Sequence, residues 1–360
     1  MNVEASKVYC SSRMAQATTW ILSSAVILQI LCGGVRFVDG SILLQFSQTG
    51  FQANIEDTSQ FLFDSPLKVL LLRGLHLDNA VAIGLLFLAL NLLPLLAILL
   101  VTRNLKERLE LLAVVSIMPM FKLMFQNVGV GDSVVIAGTI VLVAARHWVP
   151  LILTAYVIVL WHFQQGVLIV SILFALSVAM RSPGWQSRIR ALAIGSVIGV
   201  LTFAVIQIFL VPHHLGRLGY ILTYLAPLFH KNLLYLPIAL CPMVPGAILM
   251  IEALQAREQQ KQEKLVALVA IVATVLAVGI GALTIEFSRV MLLLTFPVVL
   301  FLANPNSAPP IFLEILLAPR RVVPLLAIGV VTPFFSWSGI DVFLWTSLRE
   351  TFQKYLGGAL

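Results

Sequence analysis

Two carboxylates stand where a hydroxyl could be deprotonated. Asp132 closes QNVGVGDS (residues 126–133), a polar, glycine-rich interruption between two apolar runs. Asp57 lies beside Glu56 in ANIEDTSQFLFDSPLKVLLLRGLHLDN, a stretch with aromatics, a Ser-Pro turn and an amphipathic continuation. Either carboxylate could act as general base toward an attacking hydroxyl. Each also has an ordinary structural role, because acids and serines cap helices and acids favour helix N-termini. The glycines of QNVGVGDS permit a tight turn, but no strand precedes them and the third glycine of a dinucleotide loop is missing.

Cations and hydrogen-bonding side chains recur at similar boundaries. In VLWHFQQGVLI, His162 and Gln165 are three apart, on one side of a helical turn, and could hold a hydroxylated ligand; a histidine beside Trp161 is equally an interfacial anchor. PHHLGRLGYILTYLAPLFHK contains His213, His214, Arg217, Tyr220, Tyr224, His230 and Lys231. Adjacent histidines point apart on a helix, so the pair is a weak metal signal, whereas Arg217 could meet a phosphate or simply snorkel. TIEFSRVMLLLTFP sets Glu286 and Arg289 three apart, a spacing that pairs them on a helix and turns an arginine into an oriented phosphate ligand. Cys10, Cys32 and Cys241 show neither disulfide nor metal spacing. No metal site and no cofactor is predicted, and dependence on a divalent cation stays open.

These residues must be positioned by membrane helices. Of 360 residues 60% are hydrophobic and 11% charged, and mean hydropathy is +1.00, outside the range of soluble domains. A span needs about 20 apolar residues with its backbone satisfied internally, which makes each apolar run a helix. The runs cover residues 18–35, 80–102, 109–125, 134–145, 148–161, 167–180, 191–211, 234–250, 265–285, 290–303 and 322–335, an all-α polytopic bundle of about eleven helices in one domain, 1–360. The first run ends without a small-residue cleavage site and is read as an uncleaved helix. The net charge of +7 is scattered over short loops, as lipid headgroups and topology require, and does not indicate nucleic acid. With the N-terminus cytoplasmic and the runs alternating, more than half of the 23 Lys and Arg fall inside. Fusing 134–161 into one helix would expel the basic loops around Arg181–Arg190 and Arg257–Lys264. Long loops at 36–79 and 212–233 then face outward, and residues 304–321 form an inner interfacial element. Glu56, Asp57, Asp64, Asp132, Glu286 and Asp341 gather on the outer side with every histidine except His147.

The acidic first outer loop (IEDTSQFLFDSPL), the later GVGDS, the HFQQG mouth and the Glu/Arg turn of EFSRVMLLLTFP together resemble the C-type glycosyltransferases, multi-spanning enzymes that use lipid-linked sugars. The resemblance implies transfer of a sugar from a polyprenyl-phosphate donor on the outer face. It implies Asp57 as base with Asp132 as competitor or supporting partner, Arg217 and Arg289 on the leaving phosphate, and His162, Gln165 and His213 positioning sugar or acceptor. Partners would be the lipid-linked donor and membrane lipids, with no nucleic acid, and the location a bacterial cell membrane. A lipid-linked oligosaccharide polymerase or ligase fits the same loops. A transporter or flippase is the alternative of a different class, disfavoured because the runs have few central charges and no repeated pair of broken helices.

Overall fold

The computed structural model describes residues 3–37, 40–53, 63–180, 186–211, 230, 232–259, 264–284, 286–304, 308, 312, 316–332, 334–336 and 339–341. The helices are α1 (Val3–Gly33), α2 (Gly40–Thr49), α3 (Pro66–Leu75), α4 (Ala80–Leu90), α5 (Leu93–Val101), α6 (Leu105–Ile117), α7 (Met120–Gln126), α8 (Asp132–Ala144), α9 (Trp148–Trp161), α10 (Phe163–Ala179), α11 (Gln186–Phe209), α12 (Leu236–Leu240), α13 (Val244–Gln259), α14 (Lys264–Ala282), α15 (Phe287–Leu302) and α16 (Pro319–Val331). A short antiparallel hairpin, β1 (Phe334–Ser336) with β2 (Gly339–Asp341), follows them. The class is all-helical, as composition requires.

Length divides these helices into two kinds. Ala15–Gly33, Ala80–Val101, Gln186–Phe209, Leu236–Arg257 and Lys264–Ala282 are long and apolar enough to cross a membrane, and α6 with α7 makes a sixth if that pair, bent by 59°, is one span. Five or six such helices among the described residues fit a multi-pass membrane protein. α8, α9, α10 and α15 are apolar but shorter, at 13 to 17 residues. At 1.5 Å per residue, α8 is about 20 Å long, well short of a hydrocarbon core of about 30 Å.

Burial explains where the short helices go. Every residue of α15 and all of α8 except Val141 are buried. A helix that is apolar all round has no solvent or lipid face to keep and becomes the centre of a bundle. α8 packs on α5, α9 and α15, and α15 on α10, α14 and α13. By contrast α11 and α14 expose Leu201, Val205, Val275 and Leu276, side chains suited to lipid. α8 and α9 are separate helices running antiparallel, with Gly131 against Trp161 at one end and Gly138 against Ile158 further along. α6 and α7 break at Met118–Pro119, because a proline lacks the N–H and crowds the preceding turn.

The expected outer loop at 36–79 carries its own helices. α2 and α3 pack together: Ser47 Oγ donates to Leu72 O at 3.1 Å and the Phe46 and Phe63 rings lie 5.3 Å apart. Asp57 falls outside the described residues, as do residues 212–229 of the expected loop 212–233, with His213 and Arg217. In the expected inner element, Ala308, Phe312 and Leu316 are described and are buried.

Candidate functional site

The polar residues converge at the end of the bundle where α8, α10 and α15 all begin. The turn before α8 sets the geometry. Gly129 (φ 105°) and Gly131 (φ 83°) are in the left-handed region, where side chains are strained. A Cβ on Gly131 would also lie 2.5 Å from Trp161 Nε1. Instead the indole packs onto the bare backbone and donates to Gly131 O at 2.9 Å. On its other side the turn is pinned to the segment after α1, where Val128 N donates to Arg36 O at 3.0 Å.

This turn aims Asp132 across the bundle. The carboxylate does not cap α8; it accepts from Arg289 Nε at 2.6 Å and from Nη2 at 2.7 Å, a side-on bidentate pair. Arg289 is in the first turn of α15, and its Nη1 donates to Glu286, the residue that opens that helix. Asp132 and Arg289 are 1% and 7% exposed, so the pair is withdrawn from solvent. Both acids sit at helix starts, where the backbone dipole favours negative charge. A guanidinium has five N–H groups. Among the described residues three are engaged, two by Asp132 and one by Glu286, which leaves two.

Neighbouring elements add polar groups. Lys68, in the first turn of α3 and 2% exposed, places Nζ 3.4 Å from Val130 O, two residues before Asp132. At the α9–α10 junction Gln164 Nε2 donates to Asp64 Oδ2 at 2.8 Å, and Gln207 of α11 donates to Phe63 O at 3.1 Å. His162 and Gln165 are buried there, next in sequence to the Trp161 that holds Gly131. No group of three or more His, Cys, Asp or Glu among the described residues is placed to hold a metal ion.

The structure thus brings Asp132, Glu286 and Arg289 into direct contact and places His162 and Gln165 on the adjoining junction. Sequence spacing found the Glu286–Arg289 pair but not its third member, since Asp132 is remote in the chain. Lys68, Asp64 with Gln164, and the Trp161 indole were also missed as site residues. Lys68 carried a readable signal: a lone lysine inside the apolar SPLKVLLL is costly to bury without a role.

Neither a family model, nor a curated protein, nor a solved structure matches this chain.

Beside the polar cluster runs an apolar groove of about 390 Å³ between α10, α14 and α15, lined by residues including Leu168, Ile172, Val272, Leu276, Ile280 and Leu294. Leu276 and Val272 are exposed on its rim, so it opens sideways. Its near end is close to the polar groups: Leu168 follows Gln165 by three residues and Leu294 follows Arg289 by five, about 4.5 and 7.5 Å along helices. The far ends of the two central helices are tied down separately. Arg188 donates to Val143 O and Ala145 O at 2.6 and 2.8 Å, Asn304 to Val143 O at 2.8 Å, and Arg257 to Leu302 O at 3.2 Å. These bonds cap the C-terminal carbonyls of α8 and α15 with positive charge or amide donors.

Proposed function

We propose that this chain is an integral membrane glycosyltransferase that moves a sugar from a polyprenyl-phosphate donor to an acceptor hydroxyl. The single observation that carries the reading is a buried arginine, Arg289, oriented by Asp132, on the helix whose Leu294, five residues further on, lines a laterally open apolar groove. A prenyl chain suits the groove, and a phosphate suits an oriented guanidinium. The site end of the bundle is taken as the outer face, with the N-terminus cytoplasmic and about eleven helices, in a bacterial cell membrane.

In this mechanism the acceptor oxygen attacks the anomeric carbon as a base takes its proton. The carbon–oxygen bond to the phosphate breaks, and its electron pair stays on the leaving phosphate. Asp132 is the supporting partner: both of its oxygens accept from Arg289, which leaves it poorly placed to take a proton from an acceptor. Asp57 takes the base role. Arg289 and Arg217 receive the leaving phosphate, and His162, Gln165 and His213 hold sugar or acceptor. A polymerase or ligase acting on lipid-linked oligosaccharides uses the same arrangement with a larger donor.

One observation favours transport as a second reading. The bent α6–α7 pair has a buried ionisable group, Lys122, within a turn of an interruption of the kind that transporters use. The deciding experiment uses purified protein in liposomes supplied with radiolabelled polyprenyl-phosphate hexose and a panel of hydroxyl acceptors. Labelled product from wild type, lost in Arg289→Ala and Asp57→Ala variants that remain folded, supports transfer. Movement of the labelled lipid between leaflets without product replaces transfer by transport.

A further inference from the structure

Gln165 is 3% exposed, and neither its Nε2 nor its Oε1 has a hydrogen-bond partner among the described residues. Burying an amide in this state is costly, because both its donors and its acceptor have given up water. The chain has no packing reason to use glutamine here, since methionine or leucine would fill a similar volume without that cost.

Position indicates what repays it. Gln165 is in the first turn of α10, and residues 165, 168, 172 and 175 recur on one side of that helix. Leu168, Ile172 and Ala175 of that stripe line the apolar groove. Beyond Ser171, which lines the groove, Gln165 is the next polar residue on that stripe of α10, one turn past Leu168 toward the start of the helix. An ionised phosphate offers only acceptors and would satisfy the amide N–H groups but not the carbonyl. A hydroxyl both donates and accepts, and unlike the phosphate it can satisfy either end of the amide.

We propose that Gln165 reads a hydroxyl on the sugar of the lipid-linked donor, and that it separates the glycosylated lipid from the same lipid phosphate without its sugar. This inference rests on the lipid-linked-donor reading above. It assigns discrimination to Gln165 and phosphate binding to Arg289, as two separable functions of one site.

The test measures binding of two probes, polyprenyl monophosphate and polyprenyl-phosphate hexose, to wild type, Gln165→Met and Arg289→Gln in nanodiscs, together with ligand-free melting temperatures. Gln165→Met is expected to weaken the hexose-bearing lipid about tenfold, as loss of hydrogen bonds to a neutral hydroxyl does, and to leave the bare phosphate lipid unchanged. Its ligand-free melting temperature should stay equal or rise, because an unsatisfied buried amide has been removed. Arg289→Gln should weaken both lipids. Equal weakening of both lipids by Gln165→Met, no weakening of either, or a drop in ligand-free melting temperature overturns the role of Gln165 and leaves the lipid-linked reading standing. Wild type that binds neither probe overturns both.

Discussion

Asp132 and Arg289 are 157 residues apart in sequence and meet as a two-point pair, Nε at 2.6 Å from one carboxylate oxygen and Nη2 at 2.7 Å from the other. Each residue occupies the first turn of a short, wholly internal helix, so the pair fixes the relative position of α8 and α15 at one end. Arg188, Asn304 and Arg257 do the same at the other end through carbonyl caps. The two central helices are therefore held by polar contacts at both ends and by apolar packing between them.

Removing one member of the pair leaves the other charge buried. Asp132→Ala should destabilise the protein by about 3–5 kcal/mol, and Arg289→Ala similarly, with Glu286 softening the first. In the double variant the only charge left without its partner is the part-exposed Glu286, so its loss should be clearly smaller than the sum of the two. Chemical or thermal unfolding of the four proteins in one detergent gives the cycle, and additive losses would show that the pair is not coupled.

The turn before Asp132 should tolerate no side chain at Gly131. Gly131→Ala places a methyl in a left-handed conformation and against the Trp161 indole, at a cost of about 1–3 kcal/mol for the backbone alone. Trp161→Phe keeps an aromatic ring, loses the hydrogen bond to Gly131 O and part of the indole packing, and leaves the turn unstrained, so its effect should be smaller than that of Gly131→Ala, about 1–2 kcal/mol. Melting temperatures rank the two, and the opposite order would mean that ring packing, not the turn, is what the site needs.

How much of this could be read from residues in order depends on distance along the chain. Apolar runs marked α8, α9, α10 and α15, because burial in a bundle leaves the same signal as exposure to lipid. For that reason the runs did not separate spans from central helices: α15 and α14 look alike in composition, yet only α14 is long enough to cross. Glu286 and Arg289 were legible as a pair at helical spacing. Asp132 as their partner was not, since its contact arises from how α8 and α15 pack. The packing of α2 against α3 was also hidden, because Leu43, Phe46, Val69 and Leu72 acquire a common core only when the two helices meet.

The opposite end should affect stability and spare binding. Arg188→Ala removes two bonds to the last carbonyls of the α8 end and should cost about 1–2 kcal/mol. Lysine can reach only one carbonyl at a time, so Arg188→Lys should recover part of that loss. Neither variant touches the Asp132 end, and the KM for a lipid-linked donor should stay at its wild-type value. A KM change without a melting change would mean that α8 transmits displacement from one end to the other.

Filling the groove tests whether a hydrocarbon chain uses it. Ala175 of α10 is half-buried on the groove wall, so Ala175→Phe adds bulk to open space and leaves the packed core intact. A long prenyl chain would then have to leave part of the wall for lipid that is equally apolar, losing the packing contacts it makes there, about 0.1–0.2 kcal/mol for each atom pair. A donor with a short chain never extends that far and should bind as before. The expected result is a KM raised several-fold for long-chain donors and unchanged for short-chain ones, at constant kcat. Equal KM changes for both lengths would place the chain elsewhere and leave the groove as a plain lipid-facing seam between α10 and α14.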